Sequence, residues 1–441
     1  MKYFYLLIIF FSLLSCSFDN KTGIWKNENK VEIKKDEDSF KDFKKITFLE
    51  DEFNETLRLK NNFTFNLSKP IDNLYWHDIF YNSGNSIKNF TYKNLNKLIY
   101  QSKKLSRYNF NNYKLYEDGN IVLSNNNGDL IIFSLEDKKI INKFNFYKKK
   151  YKKFDKKLNI IIEKNIIYVA DNLGYLYAFN YKENTILWAK NYKIPFTSNL
   201  KIYKDRILVS NQKNNLYILK KKNGDLVKLI PTEETPIKNQ FINNLSMSKD
   251  NLFFLNSFGS LYSIDVSKTK INWFNNFNQS LDLSPSNLFF GNKVINNDNE
   301  VIISSNTKTY ILNISDGYVK KIFNFSTIVR PIILDNYIFF ITKNHFLIAY
   351  DTNAQDILYS YKIADLPKLN KINFKNEIYK DFMILNNEIF IILKDSKILK
   401  FNINGQFIEL SSLPSKIISH PIILDGSIFY LNSKNRLVVL D

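Results

Sequence analysis

The chain has 441 residues, 44% of them hydrophobic, with 38 Phe and 27 Tyr against 11 Gly and 9 Pro, and this composition excludes a disordered chain and can bury a large core. The formal net charge of +19 is spread over a Lys- and Asn-rich chain, which indicates compositional bias and not a nucleic-acid surface. The single cysteine excludes a disulfide framework and any cysteine-rich metal site.

The first 15 residues are predicted to be an export signal. A lysine near the start precedes an apolar run, Tyr3 to Leu14, that is too short to span a membrane as a helix. The following LLSC sequence resembles the bacterial lipobox, and the resemblance implies that Cys16 is lipidated and becomes the mature N-terminus. A buried cysteine in a hydrophobic anchor is the alternative. By the same resemblance, Ser17 in place of an aspartate favours the outer membrane.

Residues 16–70 are polar and charged without sustained periodicity, and they are predicted to form a flexible tether behind the lipidated cysteine. A coil of this length would reach roughly 40 Å. Trp25 and the LEDEFNETLRL stretch ending at Leu59 leave a short helix or a contact motif open. Residues 71–441 are assigned to one folded domain.

The stretch from Ile166 to Lys190 is a repeating unit. It contains three short apolar runs, Ile166–Ala170, Tyr175–Phe179 and Ile186–Lys190, rich in β-branched and aromatic residues and separated by turn residues. The runs are almost continuously apolar, so both faces of the sheet must be covered. Because no amphipathic helix is predicted nearby, further copies of the same sheet are expected to cover them.

The unit occurs eight times at spacings of 37 to 51 residues, which is the range of β-propeller blades. The position that follows the hairpin turn falls at Leu130, Leu176, Leu216, Leu261, Tyr310, Leu347, Ile398 and Leu437. The last copy lacks an outer strand, and the run Lys97 to Lys103 matches one. The sequence therefore predicts an all-β, eight-bladed propeller of four-stranded antiparallel blades, closed by an N-terminal strand near residues 97–103.

Residue patterns for catalysis are missing from the sequence. The three histidines, His77, His345 and His420, lie in separate segments without metal-ligand spacing, and no phosphate-binding loop or nucleophile elbow occurs. The adjacent Glu233 and Glu234 do not define an acid–base pair. No catalytic, cofactor-binding or metal-binding residue is therefore predicted. The basic run 148–157 could meet anionic lipid or an acidic partner, or be a solvated loop.

Two copies, Val169–Trp188 and Leu255–Trp273, resemble the pyrroloquinoline-quinone (PQQ) type of propeller repeat, with Trp188 and Trp273 in the tryptophan-docking position. The remaining copies are more divergent and carry other residues near that position, among them Lys143, Lys228, Lys321 and Tyr359. Together with the lipobox and the LYWHDIFYNSGN segment, which is similar to the lead-in of such propellers, the chain resembles the BamB family of outer-membrane assembly lipoproteins.

The resemblance implies a non-enzymatic scaffold without cofactors. It would sit at the periplasmic face of the outer membrane, docked on the periplasmic domains of the barrel-forming subunit BamA, with unfolded outer-membrane proteins as further contacts and no nucleic acid. The implied docking loop is Tyr192–Ser198, with Ile194, Pro195, Phe196 and Thr197 as partner-binding residues. An inter-blade core contact is the alternative for Ile194 and Phe196.

Two other functions stay open. One is a quinone-dependent dehydrogenase, which would need a Ca²⁺ site and, commonly, adjacent cysteines that this chain cannot supply. The other is an envelope-binding propeller unrelated to barrel assembly.

Overall fold

The computed structural model describes residues 52–147, 151, 153–234, 243–278, 289, 291–369, 372, 374 and 378–441, and two short strands in the separate unit Met1–Glu50. Those strands, β1 Ser17–Phe18 and β2 Trp25–Lys26, pair antiparallel. The predicted export signal and Cys16 lie outside the described residues. Within the described part of the chain, no helix is long and apolar enough to cross a membrane.

The unit Asp51–Asp441 contains eight β-sheets whose strands follow one another in chain order. Two strands precede the sheets, β3 Asn89–Phe90 and β4 Leu98–Gln101. Blades 1 to 4 consist of β5 Phe110–Glu117, β6 Asn120–Asn125, β7 Asp129–Ser134 and β8 Lys139–Asn145; β9 Leu158–Glu163, β10 Ile166–Asp171, β11 Tyr175–Asn180 and β12 Thr185–Asn191; β13 Lys201–Tyr203, β14 Arg206–Ser210, β15 Leu216–Lys220 and β16 Leu226–Ile230; and β17 Asn244–Ser248, β18 Asn251–Leu255, β19 Ser260–Asp265 and β20 Lys270–Asn276.

Blades 5 to 8 consist of β21 Ile295–Asn296, β22 Glu300–Ser304, β23 Thr309–Asn313 and β24 Val319–Phe323; β25 Ile332–Leu334, β26 Tyr337–Ile341, β27 Phe346–Asp351 and β28 Asp356–Lys362; β29 Tyr379–Leu385, β30 Glu388–Leu393, β31 Lys397–Asn402 and β32 Phe407–Ser412; and β33 Ile422–Leu424, β34 Ser427–Leu431 and β35 Leu437–Leu440. Two 3-10 turns, Ile363–Asp365 and Pro367–Leu369, follow blade 6.

The first strand of each blade is innermost and the fourth is outermost. First strands are largely buried and contact the first strands of neighbouring blades, as β5 does β9, whereas fourth strands such as β12 are mostly exposed. The hydrophobic clusters bridge neighbouring blades, for example blades 2 and 3. Each blade thus packs against the next, and the apolar side chains on both faces of each sheet are buried, as their sequences predict.

The N-terminal strand closes the ring as predicted. Strand β4 pairs antiparallel with β35, with Tyr100 opposite Val439 and Gln101 opposite Val438, and supplies the fourth strand of blade 8. Strand β3 adds to blade 7 in parallel with β29. The eight-bladed, four-stranded architecture is confirmed, and closure leaves no unpaired edge between the first and last blades.

The predicted repeat has the correct register, but it begins at the second strand of each blade and not at the first. All eight positions that follow the hairpin turn are buried on the third strand of their blades, as in the pair Ala170 and Leu176. The three runs of the unit are β10, β11 and β12, and the innermost strand, β9, precedes them. Every blade also has a register irregularity between its third and fourth strands, which increases the local twist.

Trp188 packs between blades, as predicted. Its indole nitrogen donates a hydrogen bond to the carbonyl of Lys221 at 3.0 Å, and its ring lies against Gly224, where a Cβ would approach within 2.7 Å of the ring. The same contact recurs for Trp273 on Ile314 and Gly317, and for Tyr359 on Ile403 and Gly405.

Residues 52–70 pack on the propeller, although the sequence assigned them to a flexible tether. The amide of Phe53 donates to the carbonyl of Asn324 at 2.9 Å, and Leu57 forms an antiparallel bridge with Ser360. Phe65 lies edge-on to Tyr337 with ring centroids 4.8 Å apart. The spaced aromatic and aliphatic side chains of residues 52–70, including the described end of the LEDEFNETLRL stretch, thus contact apolar surface of the propeller.

Candidate functional site

Residues 73–91, hereafter the plug, lie across the central channel. Trp76 forms an antiparallel bridge with Tyr116 of blade 1, and Asp78 forms one with Ile161 of blade 2. The plug also bonds to the inner strands of the other blades, through Lys201, Met247, Asn296, Arg330, Ile423 and the pairing of β3 with β29. Since it reaches the first strands of blades around the whole ring, the plug closes the channel.

Lys201 of blade 3 is the centre of the plug's polar contacts. Its ammonium group donates to Asp78 Oδ2 at 2.7 Å, to the carbonyl of Asn82 at 2.9 Å and to Asn85 Oδ1 at 2.6 Å, although the residue is only 1% exposed. All three N–H donors are used, one of them on a carboxylate. Burial lowers the pKa of Lys201, and the negative charge of Asp78 opposes that shift.

A cavity of about 260 Å³, hereafter the funnel, occupies the end of the channel at which the innermost strands begin. The plug forms its floor with Trp76, Ile79 and Phe80. A second cavity, of about 350 Å³, lies where several of these strands end, next to plug residues Asn82 to Gly84. The plug therefore separates two faces of the propeller.

Equivalent positions of five consecutive blades form the funnel wall. In four of these blades the residue lies four positions before the last residue of the innermost strand that pairs with the second strand. In blade 5 it lies four positions before Asn297, whose amide bonds to the carbonyl of Glu300 at the start of the second strand. These residues are Lys293, Arg330, Asp381, His420 and Tyr113. The ring of positions explains why residues far apart in sequence meet at one site.

Lys114 is the most deeply buried cation of the funnel, with 1% exposure. Its ammonium group donates to Ser419 Oγ at 3.0 Å and to the carbonyl of His420. Burial and, to a smaller extent, the charge of Lys380 lower the pKa of Lys114 to about 7, against the opposing effect of Asp381. In contrast to Lys201, Lys114 has no carboxylate within ion-pair distance in the described chain.

Asp381 and His420 form a pair beside it, with 3.0 Å between Asp381 Oδ2 and His420 Nδ1. Burial lowers the pKa of His420 below its ordinary value although Asp381 opposes the change. Burial acts to raise the pKa of Asp381, but the hydrogen bond from His420, with the charges of His420 and Arg330, brings it below the ordinary value. The imidazole stacks on Tyr113 with ring centroids 4.7 Å apart. We infer an ionised carboxylate that accepts from a neutral imidazole.

The funnel was not predicted from the sequence, although the sequence contains a signal for it. Arg330 is followed by Pro-Ile-Ile-Leu, and His420 is followed by the same four residues. A polar residue before an identical strand start in two blades points to one ring of inward positions. His420, which has no metal-ligand spacing to the other histidines, belongs to this ring.

The predicted docking loop, Tyr192–Ser198, joins blades 2 and 3 on the funnel face. Phe196 is 2% exposed and packs against Tyr192 and Tyr217, so the inter-blade core contact is the observed role for this side chain. Ile194, Pro195 and Thr197 are partly exposed. The amide of Phe196 donates to the carbonyl of Asp171 at 3.0 Å, which fixes the loop on the hairpin turn of blade 2.

Other residues singled out in the sequence have structural contacts. Glu233 accepts hydrogen bonds from Asn256, Ser260 and Tyr262 and holds a loop of blade 4. In the basic run 148–157, Lys156 is buried with its ammonium 5.4 Å from the ring centre of Tyr147. Across the described ranges, no three His, Cys, Asp or Glu residues form a group that could hold a metal ion.

The funnel does not fit the Ca²⁺ site that a quinone-dependent dehydrogenase would need. Ca²⁺ takes six to eight oxygen ligands and favours carboxylates. Among the described residues that line the funnel, Asp381 is the single carboxylate, and it is already paired with His420. The surrounding lysines and Arg330 would repel a divalent cation.

The closed ring of eight four-stranded blades with inter-blade aromatic docking defines a PQQ-type β-propeller. Residues 148–361 match the family model described as Outer membrane protein assembly factor BamB, so the predicted resemblance is confirmed. No curated protein matches the chain by sequence.

Three solved structures illustrate how widely the fold is shared. BamB from Moraxella catarrhalis is similar with a TM-score of 0.62 and 10% identity, over 78% of this chain and 99% of that one. Quinohemoprotein alcohol dehydrogenase from Comamonas testosteroni has a TM-score of 0.59 and 9% identity, over 83% and 80%. A europium-containing methanol dehydrogenase has a TM-score of 0.59 and 11% identity, over 83% and 89%. At these identities the likeness shows the fold alone.

Proposed function

We propose that this protein is a non-enzymatic scaffold lipoprotein of the outer-membrane β-barrel assembly machinery. It is anchored through Cys16 at the periplasmic face of the outer membrane and docks on the periplasmic domains of the barrel-forming subunit, BamA. The match of residues 148–361 to the BamB family model, within an eight-bladed propeller, is the observation that carries the proposal. The misfit between the funnel residues and a Ca²⁺-bound quinone supports a scaffold over a dehydrogenase.

The funnel face offers a preorganised docking point in the loop Tyr192–Ser198. The amide of Tyr192 donates to the carbonyl of Gly174 at 2.7 Å, and the carbonyl of Pro195 accepts from the amide of Gln212 at 2.8 Å. Turns of two blades thus hold the loop, with Ile194 and Pro195 partly exposed between them. A loop that is already ordered loses little conformational entropy on binding.

The test is recovery of BamA with the full chain from membranes solubilised in mild detergent. The wild type should recover BamA, and Ile194→Asp should reduce recovery by roughly tenfold, since a carboxylate would be desolvated at the contact. Tyr318→Asp is the matched control, because Tyr318 is an exposed apolar side chain in a turn between third and fourth strands, on the opposite face.

Failure of the wild type to recover BamA would refute the scaffold function. Equal recovery by Ile194→Asp and Tyr318→Asp would leave the scaffold in place and refute the docking face.

The dehydrogenase alternative has its own test, the absorbance of the chain after addition of pyrroloquinoline quinone and Ca²⁺. We expect no change in the quinone spectrum. A saturable spectral shift that depends on Ca²⁺ would overturn this expectation.

A further inference from the structure

We propose that the funnel is a binding site for a small organic anion, a carboxylate or phosphate group carried on an apolar body. The site lies at the funnel end of the channel and is independent of the scaffold function. Its three features are an excess of cations, hydrogen-bond donors without acceptors, and an apolar floor.

The funnel wall carries far more positive than negative charge. Its basic residues are Lys114, Lys293, Arg330, Lys380 and Lys394. Asp381 is the only carboxylate among the described lining residues, and His420 already occupies it. Because a buried charge without a counter-charge is costly, an anion that enters the funnel is stabilised by the buried Lys114 and by the partly buried Lys293, Arg330 and Lys380.

Donors remain available in the same wall. Arg330 uses Nη1 to donate to the carbonyls of Phe80 at 2.9 Å and Asn85 at 3.0 Å, while its Nε and Nη2 make no hydrogen bond within the described chain. A guanidinium edge of this kind matches the two oxygens of a carboxylate or phosphate. The plug carbonyls hold Arg330 in place, so the free edge is preorganised.

The floor and the size of the funnel define the rest of the ligand. Trp76, Ile79 and Phe80 form an apolar base, and Ile328 and Val329 add apolar wall. The indole N–H of Trp76 is buried without a hydrogen-bond partner in the described residues. A cavity of about 260 Å³ closed by the plug suits a small molecule whose apolar body rests on this floor.

Isothermal titration of the full chain at constant ionic strength tests the site with three probes of similar shape. Benzoate and phenyl phosphate carry the two candidate anionic groups, and benzamide is the neutral control. We expect saturable binding of at least one anion, at least about tenfold tighter than benzamide, since the loss of a charge-assisted hydrogen bond costs that much. The stronger of the two anions identifies the group that the site selects.

Variants locate the binding. Lys380→Met and Lys293→Met should each weaken anion binding by roughly tenfold. The Lys380 ammonium donates to the carbonyl of Ile418, outside the plug, whereas the Lys293 ammonium lies 5.7 Å from the ring centre of Phe80 in the plug. Lys88→Met is the matched control, because Lys88 is an exposed lysine that lines the cavity at the opposite face.

The proposal is overturned if benzamide binds as well as the anions, if neither anion binds, or if both funnel variants bind like Lys88→Met. Binding of a glutamate-rich peptide with no binding of the small anions would likewise overturn it in favour of a protein ligand. None of these outcomes bears on the recovery of BamA.

Discussion

Lys201 and Lys114 lie on innermost strands of the same channel and are equally buried, but their surroundings differ. Lys201 meets a carboxylate and two further oxygens of the plug, all within 2.9 Å. Lys114 meets a hydroxyl and a carbonyl, with Lys380 nearby. The charge of Lys201 is therefore neutralised by Asp78 of the plug, whereas the charge of Lys114 in the funnel has no carboxylate partner among the described residues. The proposed anion site depends on this difference, since the buried Lys114 has no counter-charge among the described residues.

The largest effect is expected where the ion pair is broken. Lys201→Met leaves Asp78 as a buried carboxylate without its cation, which should lower the free energy of unfolding by about 3–5 kcal/mol. Urea denaturation measures the change. The double variant Asp78→Asn, Lys201→Met should recover part of the loss, because the orphaned charge is removed. A cost below about 1 kcal/mol for Lys201→Met would contradict the view that the plug depends on this pair.

The pH dependence of stability should distinguish Lys114. Its folded pKa of about 7 lies below the ordinary value of 10.5, so between these values the unfolded chain binds one more proton than the folded chain. The free energy of unfolding therefore rises with pH in this window, and the cost of burying the charge is fully present below pH 7. The charged and titratable groups around Lys114 are Lys380, Asp381, His420 and Arg330, and the variant Lys114→Met retains all of them.

Relative to Lys114→Met, the wild type should gain about 2 kcal/mol between pH 7 and pH 9, since Met has no proton to exchange. Urea denaturation of both proteins at several pH values measures the difference. Parallel pH profiles would show that Lys114 titrates normally and that the contrast with Lys201 is wrong.

The smallest effect is expected at Lys380. Lys380→Met removes a hydrogen bond to the carbonyl of Ile418 at 2.7 Å and the attraction of Asp381, but it also relieves the cost of burying the charge and the repulsion from Lys293 and Lys394. The opposing effects should cancel to within about 1 kcal/mol. Thermal unfolding without added anion checks this result. A loss above about 2 kcal/mol would mean that the funnel cations are already compensated within the chain.

Much of the fold could be predicted because it depends on local patterns. Runs of β-branched and aromatic residues, turn residues between them and a recurring spacing gave the blades, and the unmatched run at residues 97–103 gave the closure by β4. The innermost strands were harder to recognise. In blades 3, 6 and 8 they have only three residues in the ladder, such as Ile332–Leu334, which is too short for a clear periodic signal.

The candidate site could not be predicted in the same way. Residues 71–106 showed a lead-in motif, but a single copy carries no periodicity that would place it inside the ring. The contacts of the plug join residues far apart in the sequence, and Asp78 and Lys201 are more than 100 positions apart. Phe196 shows the same limit in the docking loop, since loop position alone did not decide between a buried and an exposed side chain.

The sequence by itself determined the blade, the number of blades and the way in which the ring closes, since these follow from strand propensity, turn chemistry and repetition. Only the tertiary structure decided that the chain plugs its own channel and gathers Lys293, Arg330, Asp381 and His420 into one funnel. The physical reason is the ring itself, which brings equivalent positions of distant blades around one axis. Charged residues that are far apart in the sequence therefore line a single cavity.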